Sequence, residues 1–171
     1  MLSVDIQNNI IALQNIRQEQ LGSILNWCNM TDDFKFATGM EGPVGMETLE
    51  NKFLQTACSE MEFFLGIHSF FENRLVGIIT GKIAGSVLWI NMMAVGWEFR
   101  GKGYGSISVG LLLRHMTTAG NIKDAYLAVA DGNAKGRSFW LRNGFCAINR
   151  VCGKATINGK KYNVIIMQKR L

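Results

Sequence analysis

Proline occurs once in this sequence and histidine twice, and nowhere do eighteen apolar residues follow one another. The single proline excludes a proline-rich linker, and the missing apolar run argues against a membrane-spanning helix. The N-terminal "MLSVDIQNN" has no basic segment leading into an apolar one, so no signal peptide is expected. Four cysteines (Cys28, Cys58, Cys146 and Cys152) lack the paired spacing of a zinc site. Reduced thiols in a cytoplasmic protein, with no metal, are the expectation. What remains is a chain of 171 residues, 48% hydrophobic and 18% charged, enough to bury one core. Residues 1–171 therefore read as one domain.

Charge is divided unevenly. Residues 1–98 carry 5 Lys and Arg against 11 Asp and Glu, whereas residues 99–171 carry 13 against 2. The basic half suits an anionic cofactor or nucleic acid, and the acidic half suits a cationic molecule. Either half also reads as ordinary solvated surface.

Patterning gives an alternating α/β order. Residues 10–16, "IIALQNI", read as a strand. Residues 17–29 place Leu21, Ile24, Leu25 and Cys28 on one helical face, and residues 46–57 do the same with Leu49, Phe53 and Leu54. A turn-rich loop lies between them. Residues 62–71, 75–84 and 86–95 are strand candidates rich in aliphatic and aromatic side chains. Residues 106–117 have helical length, residues 124–130 read as a strand, and residues 133–143 read as a helix with Asn133 as its N-cap and Gly144 as its stop. Asn158-Gly159 marks a hairpin turn between two final strands. The order β-α-α-β-β-β-α-β-α-β-β implies hairpins at both ends and a right-handed parallel crossover between them.

The crossover begins in a glycine-rich stretch, "WEFRGKGYGSIS". From Gly96 to Gly103 it approaches a nucleotide-hydrolase P-loop, but Gly103 stands where that loop needs Ser or Thr for magnesium. A dinucleotide fingerprint fails too, since its third glycine falls at position 105 and not 106. The remaining fit is R-x-x-G-x-G from Arg100 to Gly105. Backbone N–H groups converging there, a helix N-terminus, and the cations Arg100 and Lys102 suit a pyrophosphate. A tight structural turn with solvated cations is the plainer reading of six residues alone.

In this motif the sequence resembles the GNAT superfamily of acetyl-CoA-dependent N-acetyltransferases. A second segment, Asn133-x-x-Gly136-x-x-Phe139-Trp140-Leu141-Arg142-Asn143-Gly144-Phe145, is similar to that family's later motif N-x-x-A-x-x-F-Y-x-K-x-G-F. The resemblance implies a central, mostly antiparallel sheet of about seven strands with a splayed parallel pair, flanked by about four helices. It implies acetyl-CoA as co-substrate, its pantetheine arm on the backbone of Met93, Ala94 and Val95. Its pyrophosphate would lie on Arg100, Gly101, Lys102, Gly103, Tyr104, Gly105 and Ser106. Asn133 would contact the pantetheine or brace its helix, Phe139 and Trp140 would line the coenzyme, and Arg142 would approach the phosphates. Phe139 and Phe145 also read as core, and Arg142 as a solvated helix residue.

Two departures stand out. Many members carry Tyr where this chain has Trp140, and an indole cannot protonate a leaving thiolate. Gly136 replaces the family's Ala. The expected reaction is direct attack of a primary amine on the acetyl-CoA thioester, with the Val95 N–H stabilising the oxyanion. An alkylamine titrates near about 10.4, so a base or a water chain must take its proton. No carboxylate lies in residues 86–95, which leaves Glu98, Asp32 and Asp33 as candidate bases. His68 and His115 fall in neither motif and read as structural. The acidic N-terminal half (Asp32, Asp33, Glu41, Glu47 and Glu50) predicts a cationic acceptor: aminoglycoside-like, polyamine-like, or a peptide N-terminus. A homodimer is left open. The missing tyrosine equally suits a non-catalytic acyl-CoA-binding regulatory module. A nucleic-acid-binding module is disfavoured, because basic surface interleaved with aromatics is absent.

Overall fold

The structure is a computed structural model that describes residues 1–30, 36, 43–157 and 159–171. Its strands are β1 (Asp5–Gln7), β2 (Ile11–Asn15), β3 (Glu62–Ser69), β4 (Arg74–Ala84), β5 (Val87–Val95), β6 (Asp124–Ala130), β7 (Cys146–Ile157) and β8 (Lys160–Arg170). The helices among the described residues are α1 (Leu21–Met30), α2 (Met46–Ala57), α3 (Tyr104–Gly120) and α4 (Ala134–Arg142). The strands form one sheet in the order β1-β2-β3-β4-β5-β6-β8-β7. Every neighbouring pair is antiparallel except β5 and β6, which are parallel and joined through α3.

Helices cover both faces of the middle of this sheet. Phe63, Phe64, Leu65 and Ile67 are successive or near-successive on β3, yet all are buried. Alternation sends them to opposite faces, so each face has its own core. Burying side chains of this size contributes about 1.5–3 kcal/mol each. On α3 the buried residues Tyr104, Ser108, Val109, Leu112, Leu113 and Met116 recur at helical spacing. That stripe seats the helix whose first turn carries the glycine motif. No helix among the described residues is long and apolar enough to cross a membrane.

The expected mixed α/β sheet, mostly antiparallel with one parallel pair, is present; its eight strands include β1, whose three residues are too few to show alternation in the sequence. Two expectations are corrected. Leu54 is 56% exposed, since the face of α2 follows Leu49, Phe53 and Thr56, and position 54 lies more than a quarter-turn off that line. On α1 Leu21, Ile24 and Cys28 are buried as expected, but the fourth buried residue is Trp27, while Leu25 is only half-buried. The final hairpin pairs Ile157 with Lys160, leaving a two-residue turn in which Gly159 has φ +70. Asn158 lies outside the described residues.

Candidate functional site

β5 and β6 pair only from Val87–Asp124 to Ile90–Leu127. Beyond Ile90 the two strands part, and the cause lies on the other side of β5. There Gly81 pairs with Ile90 and Thr80 with Met92, so Asn91 is the extra residue of a bulge. A bulge bends its strand, and this one turns Asn91–Val95 away from β6. The gap opens into a cavity of about 610 Å³.

Alternation decides which backbone groups face that gap. The Gly96 N–H donates to the Val76 carbonyl at 2.9 Å, and a Cβ on Gly77 would lie 2.6 Å from the Ala94 oxygen. Ala94 therefore turns its peptide groups to β4, while Met93 and Val95 turn theirs to the gap. The Val95 carbonyl accepts from Arg100 Nε at 3.2 Å, which anchors that side chain at the end of the strand.

At the mouth of the gap stands the glycine turn. Gly101 (φ +80) and Gly103 (φ +84) both adopt left-handed backbone that favours glycine. Gly105 is required for space: a Cβ there would sit 3.0 Å from Met93 Cε and 3.1 Å from the Phe139 ring. Gly103 caps α3 without any side-chain hydrogen bond. The N–H groups of Tyr104, Gly105 and Ser106 precede the first carbonyl-paired turn of the helix and point toward its N-terminal end. Such a terminus carries partial positive charge.

The opposite wall comes from α4. Asn133 Oδ1 accepts from the Gly136 N–H at 2.8 Å, the N-cap read from the sequence. A Cβ at position 136 would lie 2.5 Å from that capping amide, which accounts for glycine where the family motif has alanine. Trp140 is buried edge-on between Phe139 (4.9 Å between centroids) and Phe145 (5.1 Å). The turn into α4 is tied to β8 and β7 by Asp131, which accepts from Asn163 Nδ2 at 2.9 Å and Arg150 Nη2 at 2.8 Å. The Asn163 and Arg150 hydrogen bonds hold the Asp131 carboxyl below its ordinary 3.8. A lowered carboxyl pKa stabilises the fold above the ordinary value, and the effect is lost as pH falls through the lowered one. The stability advantage of wild type over Asp131→Asn is therefore expected to hold through neutral pH and fade only below about pH 4. Thermal unfolding midpoints across an acid series check this.

Thirteen of the fourteen residues expected to bind cofactor line this one cavity: Met93, Ala94, Val95, Arg100, Gly101, Gly103, Tyr104, Gly105, Ser106, Asn133, Phe139, Trp140 and Arg142. Lys102 does not. Its Nζ is 2.6 Å from Glu72 Oε1, at the β3–β4 turn. Of the candidate bases, Glu98 is absent from the lining and accepts from Trp27 Nε1 at 3.4 Å. Asp32 and Asp33 lie outside the described residues, as does Glu41. His68 packs beside Gln20 on β3, where burial and nearby Arg17 lower its pKa. Burial pushes the Cys28 thiol up to about 11, which keeps it protonated.

Sequence reasoning passed over Lys135, Asn91 and Gly132, all of which line the cavity. Lys135 left a trace, since a cation in a helix's first turn opposes the dipole unless an anion offsets it. Asn91 left none, because a bulge depends on pairing with β4. Among the described lining residues, Arg100, Lys135 and Arg142 are cations, and there is no Asp, Glu or His. The described lining thus carries positive charge with no carboxylate beside it.

Comparison with known proteins bears on the same segment. Residues 26–145 match the model described as the acetyltransferase (GNAT) family. No curated protein matches the sequence. A spermidine N-acetyltransferase from Vibrio cholerae, solved with CoA and spermine, has a TM-score of 0.82 at 19% identity, over 95% of this chain and 96% of its own. The microcin C7 self-immunity acetyltransferase, solved with acetyl-CoA and AMP, has a TM-score of 0.79 at 20% identity, over 96% and 94%. A ribosomal-protein-S5-alanine acetyltransferase from Vibrio fischeri has a TM-score of 0.77 at 17% identity, over 98% and 97%. At these identities the likeness to each is one of fold.

Proposed function

The chain belongs to the acetyltransferase (GNAT) family, and on that premise we propose that it moves the acetyl group of acetyl-CoA to a primary amine on a cationic acceptor. The observation that carries this reading is the parting of β5 from β6 with the glycine turn at its mouth. The residues present fit the coenzyme: two left-handed glycines, one glycine with no room for a Cβ, and three cations along the lining. In this reading Met93 and Val95 offer main-chain groups to the pantetheine arm. Gly101 to Ser106 hold the pyrophosphate with backbone N–H groups, and Arg100, Lys135 and Arg142 supply charge around them.

Bound acetyl-CoA supplies the thioester. The Val95 N–H is the donor placed to bind its carbonyl oxygen as negative charge develops there. Trp140 shapes the wall and transfers no proton. The amine's proton passes to water or to the carboxylates at positions 32 and 33. Glu98→Gln is expected to leave kcat unchanged, because its carboxylate faces Trp27. A fall on the order of 10²–10⁴-fold, which a general base contributes, would place the base there instead.

A cationic acceptor is supported by the charge split along the chain. It is also supported by the position of α1, whose Trp27 ring would lie 2.8 Å from a Cβ on Gly96, directly after Val95. The helix that leads toward the acidic positions 32 and 33 thereby borders the reactive end of β5, and enzymes of this fold include one solved with spermine. We place the reaction in the cytoplasm, with residues 1–171 working as one domain. The acceptor class is tested by comparing kcat/KM for polyamines, aminoglycosides, basic peptides and neutral amines at low and high salt. Preference for neutral amines, insensitive to salt, would overturn it.

One observation favours a second reading. The described lining holds no Asp, Glu or His, as a non-catalytic acyl-CoA sensor would allow. Acetyl-CoA binding without thiol release would select that reading.

A further inference from the structure

The glycine turn has little to hold it in place. Two of its residues sit in left-handed backbone, its cap makes no side-chain bond, and a Cβ on Gly101 would meet nothing within 4 Å. Ordering such a segment on binding costs conformational entropy, unless the free protein already holds it. A support is present on the side away from the cavity.

That support is the β3–β4 turn. Glu72 Oε1 accepts from Lys102 Nζ at 2.6 Å and from the Tyr104 hydroxyl at 3.4 Å. Tyr104 accepts in turn from Ser69 Oγ at 2.9 Å, and Ser69 Oγ accepts from the Glu72 N–H at 3.1 Å. The contacts close a ring through Ser69, Glu72 and Tyr104, with Lys102 fastened to it. Lys102 also lies 5.7 Å over the Phe99 ring. Within the ring Glu72 is 18% accessible and Tyr104 is buried, while the Lys102 side chain stays half-exposed. The ring therefore grips the motif at two positions flanking Gly103, the residue with φ +84.

From this ring we infer that Glu72 is a positioning residue, which pre-forms the phosphate-binding turn before acetyl-CoA arrives. The inference rests on the acetyl-CoA reading above. It also gives Lys102 a different task from a phosphate ligand, namely to be held by Glu72. The Lys102 hydrogen bond keeps the Glu72 carboxyl below its ordinary range, so the pair persists at neutral pH.

Acetyl-CoA titration calorimetry on wild type and Glu72→Gln, with steady-state kinetics beside it, tests the role. Glu72→Gln is expected to weaken acetyl-CoA binding about three- to tenfold, and to raise its KM equally, with kcat and acceptor KM unchanged. In a Lys102→Gln background the same substitution is expected to change affinity by less than about twofold. Amide exchange over residues 101–106 in the ligand-free protein should quicken in Glu72→Gln. Equal or tighter acetyl-CoA binding by Glu72→Gln would overturn the inference, since Glu72 would then merely compete with phosphate for Lys102. So would a fall in kcat at unchanged acetyl-CoA KM. If wild type itself failed to bind acetyl-CoA, the functional reading would fall first, and that arm tells the two failures apart.

Discussion

Gly103→Val is expected to lower acetyl-CoA affinity by about a hundredfold or more while leaving the fold standing. Residue 103 has φ +84 and ψ −7, and an ordinary side chain there costs about 1–2 kcal/mol. Space is not the obstacle, because a Cβ would meet only Ile107 Cδ1, at 3.8 Å. The strain is relieved when the turn leaves its left-handed backbone, and that movement re-aims the N–H groups of residues 103–106. Hydrogen bonds to a charged group contribute about 1.5–3 kcal/mol each, so losing two accounts for the hundredfold. Titration calorimetry reads the affinity, and circular dichroism with thermal unfolding reads the fold. Unchanged affinity in a folded variant would mean that the coenzyme's phosphates lie elsewhere.

Trp140→Ala is expected to cost about 3–5 kcal/mol of stability, read from urea unfolding, because it removes a buried ring that two phenylalanines pack against. The companion Trp140→Phe separates packing from chemistry. It keeps an aromatic ring between Phe139 and Phe145 and is expected to keep kcat within about threefold, since neither indole nor phenyl donates an acidic proton. A leaving thiol with a pKa near about 8.5 departs without help at neutral pH. Loss of turnover in Trp140→Phe, with acetyl-CoA affinity intact, would show that the indole acts on the reacting atoms.

Much of this site was legible in the sequence, for reasons that are local. Gly101 and Gly103 are fixed by backbone angles, and Asn133 is fixed by a cap to residue 136, so each is visible within a few residues of itself. Strand β3 was legible because burial on both faces leaves a continuous apolar run. What escaped depends on contacts made far along the chain. The Asn91 bulge exists only against Thr80 and Gly81. Lys102 was read as a phosphate ligand because nothing nearby in sequence showed Glu72, thirty residues earlier, at 2.6 Å. Gly136 looked like a departure from the family pattern until the Asn133 amide was seen over it. Trp27 outranks Leu25 on α1 because the backbone of Gly96 supplies its floor, a contact between positions 69 residues apart in the chain.

The central claim is that this cavity presents an acetyl thioester to an amine, and one assay addresses it directly. Purified protein is mixed with acetyl-CoA and a panel of cationic amines, free thiol is followed with time, and acetylated product is identified by mass. Thiol release that depends on both protein and amine, matched mole for mole by acetylamine, is the predicted result. Saturable acetyl-CoA binding with no thiol released above the protein-free rate, for any amine in the panel, would contradict it.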